Sequence, residues 1–226
     1  HREPANTVVM GKTGTGKTVL AGMLLAMTSK FNVEGKPYTA VVFDKDLGMS
    51  VAVRAMRGRY YPIKKGERSG FNPFQLPSTP ATLMFLEKLV KVLVRNEAQP
   101  FTTVQESEIS SAIRGVMSAP KPLRRLAGML EFLDPTDPNG VRPRLQRWCG
   151  NGTLAWLFDN AEDTIDVDNT PIIGFDVTEF LDEPEIRVPT ILYLFHRIES
   201  LIDGRRIPIF IDEFPKVLVD EAFRDL

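Results

Sequence analysis

The sequence predicts an α/β fold, a mostly parallel sheet flanked by helices with an all-helical segment inserted between its strands. Three observations carry this expectation. Short apolar, β-prone runs recur at 7–10, 38–43, 153–158, 172–176 and 207–211, separated by stretches with helical spacing. A glycine-rich turn joins the first run to the first helix. Two of the runs end on acids, Asp44-Lys45-Asp46 and Asp212-Glu213, as expected where the C-terminal ends of parallel strands form a ligand-binding edge.

The elements follow in order. Thr7-Val8-Val9-Met10 reads as the first strand, and Val19, Leu20, Met23, Leu24 and Met27 place a helix behind it with its apolar side inward. Tyr38 to Phe43 reads as a buried strand. Residues 54–76, rich in Gly, Pro, Arg and Tyr, suit short strands and turns. From Ser78 to Trp148 the pattern is helical: Thr79-Pro80 supplies a cap and a first-turn proline, and Leu83, Leu86, Val90, Leu93 and Val94 follow on one face. Shorter helices are expected over Ile109–Val116, Leu123–Leu133 and Val141–Trp148, divided by Pro120, Pro122, Pro135 and Pro138, with Met129 and Trp148 as core. Strands resume at Thr153–Phe158 and Ile172–Asp176. The acids between them, Asp159, Glu162, Asp163, Asp166 and Asp168, lack the glycine and terminal Glu of an EF-hand and read as a solvated turn. A helix begins at Pro189, with Ile191, Leu194, Phe195, Ile198, Leu201 and Ile202 inward, and stops at Asp203-Gly204. Ile207 to Ile211 reads as a further strand; Pro208 should lie at its beginning or at a bulge, and the remainder can be a central parallel strand.

Composition narrows the chemistry. The chain has 226 residues, 43% hydrophobic and 25% charged, with a net charge of −1, so no global basic field draws it to nucleic acid or anionic lipid. The basic clusters Lys64-Lys65 with Arg68, and Lys121 with Arg124-Arg125, read as solvated faces. One cysteine, Cys149, and two histidines, His1 and His196, exclude an intrachain disulfide and a Cys- or His-rich metal site. No apolar run approaches the length of a membrane span. His1-Arg2-Glu3-Pro4, without an initial Met, reads as the start of a piece of a longer chain.

Residues 11–18, GKTGTGKT, match G-x-x-x-x-G-K-[ST] at every specified position. Gly11, Gly14 and Gly16 allow backbone N–H groups to converge on an anion, Lys17 brings a cation to the β- and γ-phosphates, and Thr18 offers its hydroxyl to Mg²⁺. Gly11, Thr13, Gly14, Thr15, Gly16, Lys17, Thr18 and Val19 form the expected nucleotide-binding set, and the class is a P-loop NTPase. Asp212 then fits the second carboxylate of the Mg²⁺ shell, and Glu213 the group that orients or polarises the attacking water.

Beyond the phosphate loop, the chain carries FDKD at 43–46, GRYYPIKKGERSGFNPF at 58–74, GNGTLAWLFDN at 150–160, GFDVTEFLD at 174–182, YLFHRIESLIDGRR at 193–206 and IDEF at 211–214. In this ordered set it resembles the ATPase domain of the VirB-type ATPases of type IV secretion and conjugal transfer, the group that includes TrbE and CagE. The resemblance implies a RecA-like fold of the HerA/FtsK group, its core formed by 1–77 and 149–226 around a helical lobe at 78–148. It also implies hydrolysis of ATP with Mg²⁺, with Lys17 and Glu213 catalytic, Thr18 and Asp212 on the metal, and Asp44 and Asp46 at an acidic strand end. The implied setting is a hexamer with other secretion components, cytoplasmic and peripheral to the bacterial inner membrane, with direct nucleic-acid binding left open. Pro215 departs from relatives with an aromatic residue there, and the further strand, sensor segment and trans-acting arginine of the group are expected outside residues 1–226. A related DNA-pumping ATPase or conjugative coupling protein, and a nucleotide-dependent scaffold without turnover, are the alternatives.

Overall fold

Four short strands build the sheet in the computed structural model, which describes residues 7–12, 14–31 and 38–213. In chain order the elements are α1 (Lys17–Thr28), β1 (Ala40–Asp44), α2 (Ser50–Ala55), β2 (Arg59–Pro62), α3 (Pro80–Leu93), α4 (Thr103–Ser118), α5 (Val141–Gln146), α6 (Ala155–Phe158), β3 (Ile172–Asp176), α7 (Pro184–Glu199) and β4 (Ile209–Ile211). The described residues divide into two units, one drawn from 7–61, 169–178 and 202–212, the other from 62–168, 179–201 and Glu213.

The first unit holds the sheet. Its strand order is β2-β3-β1-β4, and β1 pairs in parallel with both β3 and β4. The register sets Ala40 beside Ile172 and Asp44 beside Asp176, while Phe43 faces Ile211. Every residue of β1 and β3 is buried, the pattern of strands covered on both faces. Leu25 of α1 packs with Tyr38, Ala40, Val42, Met49, Val53, Tyr60 and Ile172 in one apolar cluster. Pro208 precedes β4, so its missing N–H is no loss to the ladder. Among the described residues β4 is an edge strand, where its sequence also allowed a central one.

Two expectations fail here. Thr7 to Met10 form no regular structure, and Val8 and Met10 are 74% and 89% exposed. The apolar side of α1 is likewise open: Val19 is 68%, Met23 59% and Met27 57% exposed, and Leu25 alone is buried. Helical spacing correctly predicts the helix, but burial needs an opposing surface, and no described strand lies against that side.

The second unit is mainly helical. Thr79 Oγ1 accepts from the Thr82 N–H and Pro80 opens α3, as its sequence dictates, a cap of the kind that contributes about 1 kcal/mol. Thr102 and Gln105 form a reciprocal capping box at α4, which extends well beyond the expected Ile109–Val116 core. Leu123–Leu133 is not an α-helix: Lys121–Leu123 and Leu126–Phe132 are 3₁₀ turns, the tighter form taken between closely spaced prolines. α7 starts five residues before the expected Pro189, which lies inside it, and Ile202 is exposed beyond its end.

The run at 153–158 is a correction of type. It forms the one-turn α6 instead of a strand, because Gly152 and Leu154 turn back onto the Cys149 and Arg147 carbonyls, both at 2.8 Å. Asn160 Nδ2 then donates to the Leu157 carbonyl at 3.1 Å and to that of Phe71 at 3.0 Å, replacing ladder partners. A short buried apolar run does not by itself separate helix from strand.

The acidic stretch after α6 is not solvated throughout. Asp159 is buried and accepts from the N–H groups of Ala127 and Gly150 at 3.0 and 2.8 Å, with Arg125 beside it. Asp163 accepts from the Tyr193 hydroxyl at 2.6 Å and from Arg197 at 2.5 Å. Protein donors thus occupy these carboxylates. No helix among the described residues is long and apolar enough to cross a membrane.

Candidate nucleotide site

The phosphate loop lies on the sheet-bearing unit. Gly14 and Gly16 adopt φ of +81° and +88°, the left-handed region that a side chain disfavours, and a Cβ on either would meet nothing within 4 Å. The glycines therefore serve backbone conformation rather than close packing, and they face open space. Thr15 Oγ1 donates to the Lys12 carbonyl at 2.7 Å, closing the turn. α1 begins at Lys17, so Lys17, Thr18 and Val19 occupy its first turn, where backbone N–H groups are unpaired within the helix and the dipole favours an anion. Lys17 Nζ donates to the Gly11 and Lys12 carbonyls at 2.8 and 3.1 Å, so the ammonium is held over the loop it is expected to serve. Thr13 lies outside the described residues.

A second group of side chains forms at the C-terminal ends of the parallel strands. Asp44 ends β1, Asp176 ends β3 beside it, and Asp212 follows β4, its N–H donating to the Phe43 carbonyl at 2.9 Å. Asp44 is fully buried, and Oδ2 accepts from the Tyr60 hydroxyl at 2.5 Å and the Met49 N–H at 2.9 Å. Burial pushes the Asp44 carboxyl up from its ordinary range, opposed by these two donors and reinforced by the charges of Asp176 and Asp212. Burial and the adjoining carboxylate raise the Tyr60 hydroxyl as well, so it stays a donor.

The loop after β1 bears on α1. A Cβ on Gly48 would stand 2.8 Å from Thr18 Cγ2 and 3.5 Å from Asp44 Oδ1, so the chain passes at a distance only glycine permits. Asp46 is exposed with φ of 59°, and its N–H donates to Thr178 Oγ1 at 2.7 Å. That hydroxyl donates in turn to Asp176 Oδ1 at 2.5 Å. Glu213 is exposed and holds φ of 55°, a strained conformation for glutamate immediately after the Asp212 strand end.

The structure thus brings Thr18, Asp44 and Asp212 onto one unit with the loop glycines and Lys17. Sequence reasoning missed Asp176, Tyr60, Gly48 and Thr178. A signal for Asp176 was present, since β1 and β3 both end in Phe-Asp, and Phe43 and Phe175 pack at 5.7 Å between ring centres. Among the described residues no three His, Cys, Asp or Glu side chains are grouped to hold a metal alone. A Mg²⁺ bound through nucleotide phosphates needs only one or two protein ligands, and the hydroxyl and carboxylates here fit that demand.

No family model matches the chain. Individual proteins do. It is 43% identical over 220 residues to the type IV secretion system protein VirB4 of Bartonella quintana, covering 97% of this chain and 27% of that protein. To VirB4 of Brucella abortus it is 42% identical over 233 residues, and to the type IV secretion system protein PtlC of Bordetella pertussis 38% over 229 residues, each covering 97% of this chain and 28% of the relative. The chain therefore spans little more than a quarter of the length of the curated relatives it matches. Among solved structures, VirB4 of Thermoanaerobacter pseudethanolicus superposes with a TM-score of 0.67 at 16% identity, over 91% of this chain and 60% of that one, which agrees with the P-loop NTPase fold. Sequence and fold together identify the chain as a homologue, over nearly its whole length, of one segment of the VirB4/PtlC family of type IV secretion proteins.

Proposed function

We propose that this chain is the nucleotide-hydrolysing segment of a type IV secretion motor, using ATP to drive assembly of the transporter or passage of its substrate. The observation that carries the reading is the loop itself: Gly14 and Gly16 at positive φ, open to solvent, leading directly into a helix whose first turn bears Lys17 and Thr18. Gly11 and Thr13 to Val19 would hold the phosphates, with Lys17 leaving its loop carbonyls for phosphate oxygens. Thr18 and Asp212 would hold Mg²⁺, which supplies charge neutralisation on the transferring phosphoryl group. Glu213 would accept the proton of the attacking water, and the exposed position after β4 leaves room for it. Asp46 supports the site through its backbone link to Thr178.

In this reading residues 1–77 and 149–226 belong to the ATPase core and 78–148 to an inserted lobe. The working form is an oligomer, a hexamer by family resemblance, acting with other secretion components at the cytoplasmic side of the inner membrane. The names of the relatives at 38% to 43% identity, type IV secretion system proteins, support its work beside other secretion components.

The experiment is steady-state ATP hydrolysis by the longer protein, with and without DNA and across protein concentration. The account expects turnover that rises with concentration, because an arginine from a neighbouring subunit contributes about 10³ to 10⁵ in rate in related chemistry. Strong stimulation by DNA would favour a DNA-pumping motor. Nucleotide binding without turnover under every condition would favour a scaffold.

A further inference from the structure

The two carboxylate oxygens of Asp44 are in unlike states. Oδ2 accepts from both the Tyr60 hydroxyl and the Met49 N–H. Oδ1 is fully buried and has no hydrogen-bond partner among the described residues. Leaving such an acceptor unmet is costly, and more so when it is charged. A retained cost of that kind points to a donor that arrives in the working state.

The surroundings show where it arrives. A Cβ on Gly48 would stand 3.5 Å from Asp44 Oδ1 and 2.8 Å from Thr18 Cγ2, so the Gly48 backbone, the Asp44 carboxylate and the Thr18 side chain meet at one corner. The turn that brings Gly48 to this corner is constrained, since Asp46 and Leu47 hold φ of 59° and 58°. Such a conformation is strained for a non-glycine residue and persists only where its surroundings hold it. Here the hold includes Asp46 N–H to Thr178 and Thr178 to Asp176. Asp176 and Asp212, the neighbouring strand ends, add negative charge around the same corner.

We propose that Asp44 is a positioning residue for the divalent cation of the bound nucleotide, its Oδ1 accepting a hydrogen bond from water held on a cation at Thr18, beside the close approach at Gly48. Mg²⁺ sheds its waters reluctantly, so a buried acceptor one layer out fixes the ion without displacing its shell. The proposal rests on the nucleotide-binding reading above. It assigns to the β1 end a task separate from those of Asp212 and Glu213.

The test uses the full-length protein and two readouts that need no turnover: the affinity of a fluorescent ATP analogue in EDTA and in Mg²⁺, and the affinity of Mn²⁺ for the nucleotide complex by electron paramagnetic resonance. Asp44→Asn should keep the EDTA affinity within about twofold and lose about 10- to 100-fold in Mn²⁺ affinity, the range typical of groups one layer from a metal. Tyr60→Phe removes a donor to Oδ2 but leaves Oδ1 untouched, so it should lower the melting temperature while keeping the cation dependence. Equal loss of cation affinity in both variants would mean that Asp44 only braces the fold and would overturn the proposal. If Asp44→Asn does not fold, Asp44→Ser decides, since its one hydroxyl oxygen can still accept from the Met49 N–H but presents no second oxygen toward the cation. Lost cation affinity there supports the proposal, and parental affinity overturns it. A parental protein that binds analogue with the usual cation dependence, beside an unchanged Asp44→Asn, sinks this inference alone, whereas a parental protein that binds no nucleotide overturns the reading beneath it as well.

Discussion

Gly174→Ala tests whether the sheet is built around the Tyr60–Asp44 contact. Gly174 lies at the middle of β3, and a Cβ there would stand 2.5 Å from Tyr60 Cδ2, 3.0 Å from Tyr60 Cε2 and 3.4 Å from Val53 Cγ2. The first distance is impossible without movement, and the tyrosine ring is the group that must move. Overpacking of this kind costs about 1–3 kcal/mol. The displaced ring also weakens the 2.5 Å bond from its hydroxyl to Asp44 Oδ2, a charge-assisted contact worth about 1.5–3 kcal/mol. The expected loss is therefore about 2–5 kcal/mol, a large part of the roughly 5–15 kcal/mol of a typical domain. Urea unfolding followed by circular dichroism measures it, with Tyr60→Ala as the second background. Once the ring is gone, Gly174→Ala should cost less than about 1 kcal/mol, since coupled sites depart from additivity by amounts of this order. An equal cost in both backgrounds would refute the reasoning and assign the limit to the strand backbone.

Three other outcomes follow from the same geometry. Glu213→Gln should keep nucleotide and Mg²⁺ affinity but lose about 10²- to 10⁴-fold in single-turnover hydrolysis, the range of a missing general base; undiminished hydrolysis would remove Glu213 from that role. His196 stacks on Phe85 at 3.8 Å, and burial, with the Arg197 charge, lowers its pKa despite Glu199 at 3.9 Å. A depressed histidine contributes stability above its unfolded value of about 6.5 that is lost as pH falls through the lower folded value, so urea midpoints should drop over that window and His196→Gln should flatten the drop. The exposed apolar side of α1 should make the 226-residue chain bind a hydrophobic dye and self-associate, and Met23→Gln with Met27→Gln should reduce both in dye fluorescence and light scattering.

Local chemistry made part of the molecule legible in advance. The glycine turn before α1, the Thr79-Pro80 start of α3, β1, β3 and the placement of Pro208 before β4 each follow from residues acting on their neighbours in sequence. The misreadings have a different origin. Thr7–Met10 and the apolar side of α1 have the composition of buried elements, but burial depends on a partner surface that spacing cannot reveal. Thr153–Phe158 has strand-like composition, yet side-chain donors such as Asn160 satisfy its carbonyls in a helical turn. Several motif residues outside the loop have plain structural tasks: Asn72 caps its own turn and donates to the Asn160 carbonyl at 2.8 Å, and Asp159 anchors two backbone N–H groups. In the site itself, Asp44 and Asp212 were visible as strand ends. Asp176, Tyr60 and Gly48 needed the register and the close approach of the 45–48 turn to Thr18.

The central claim is that residues 11–18 bind a nucleoside triphosphate through Lys17 and Thr18. Equilibrium binding of a fluorescent ATP analogue with Mg²⁺, comparing the full-length protein with its Lys17→Ala variant, tests it most directly. Loss of one charge-assisted contact to phosphate, about 1.5–3 kcal/mol, should weaken binding roughly 10- to 100-fold while circular dichroism stays unchanged, because the Lys17 ammonium rests on exposed loop carbonyls rather than in a core. Binding by the variant at the parental affinity would contradict the account.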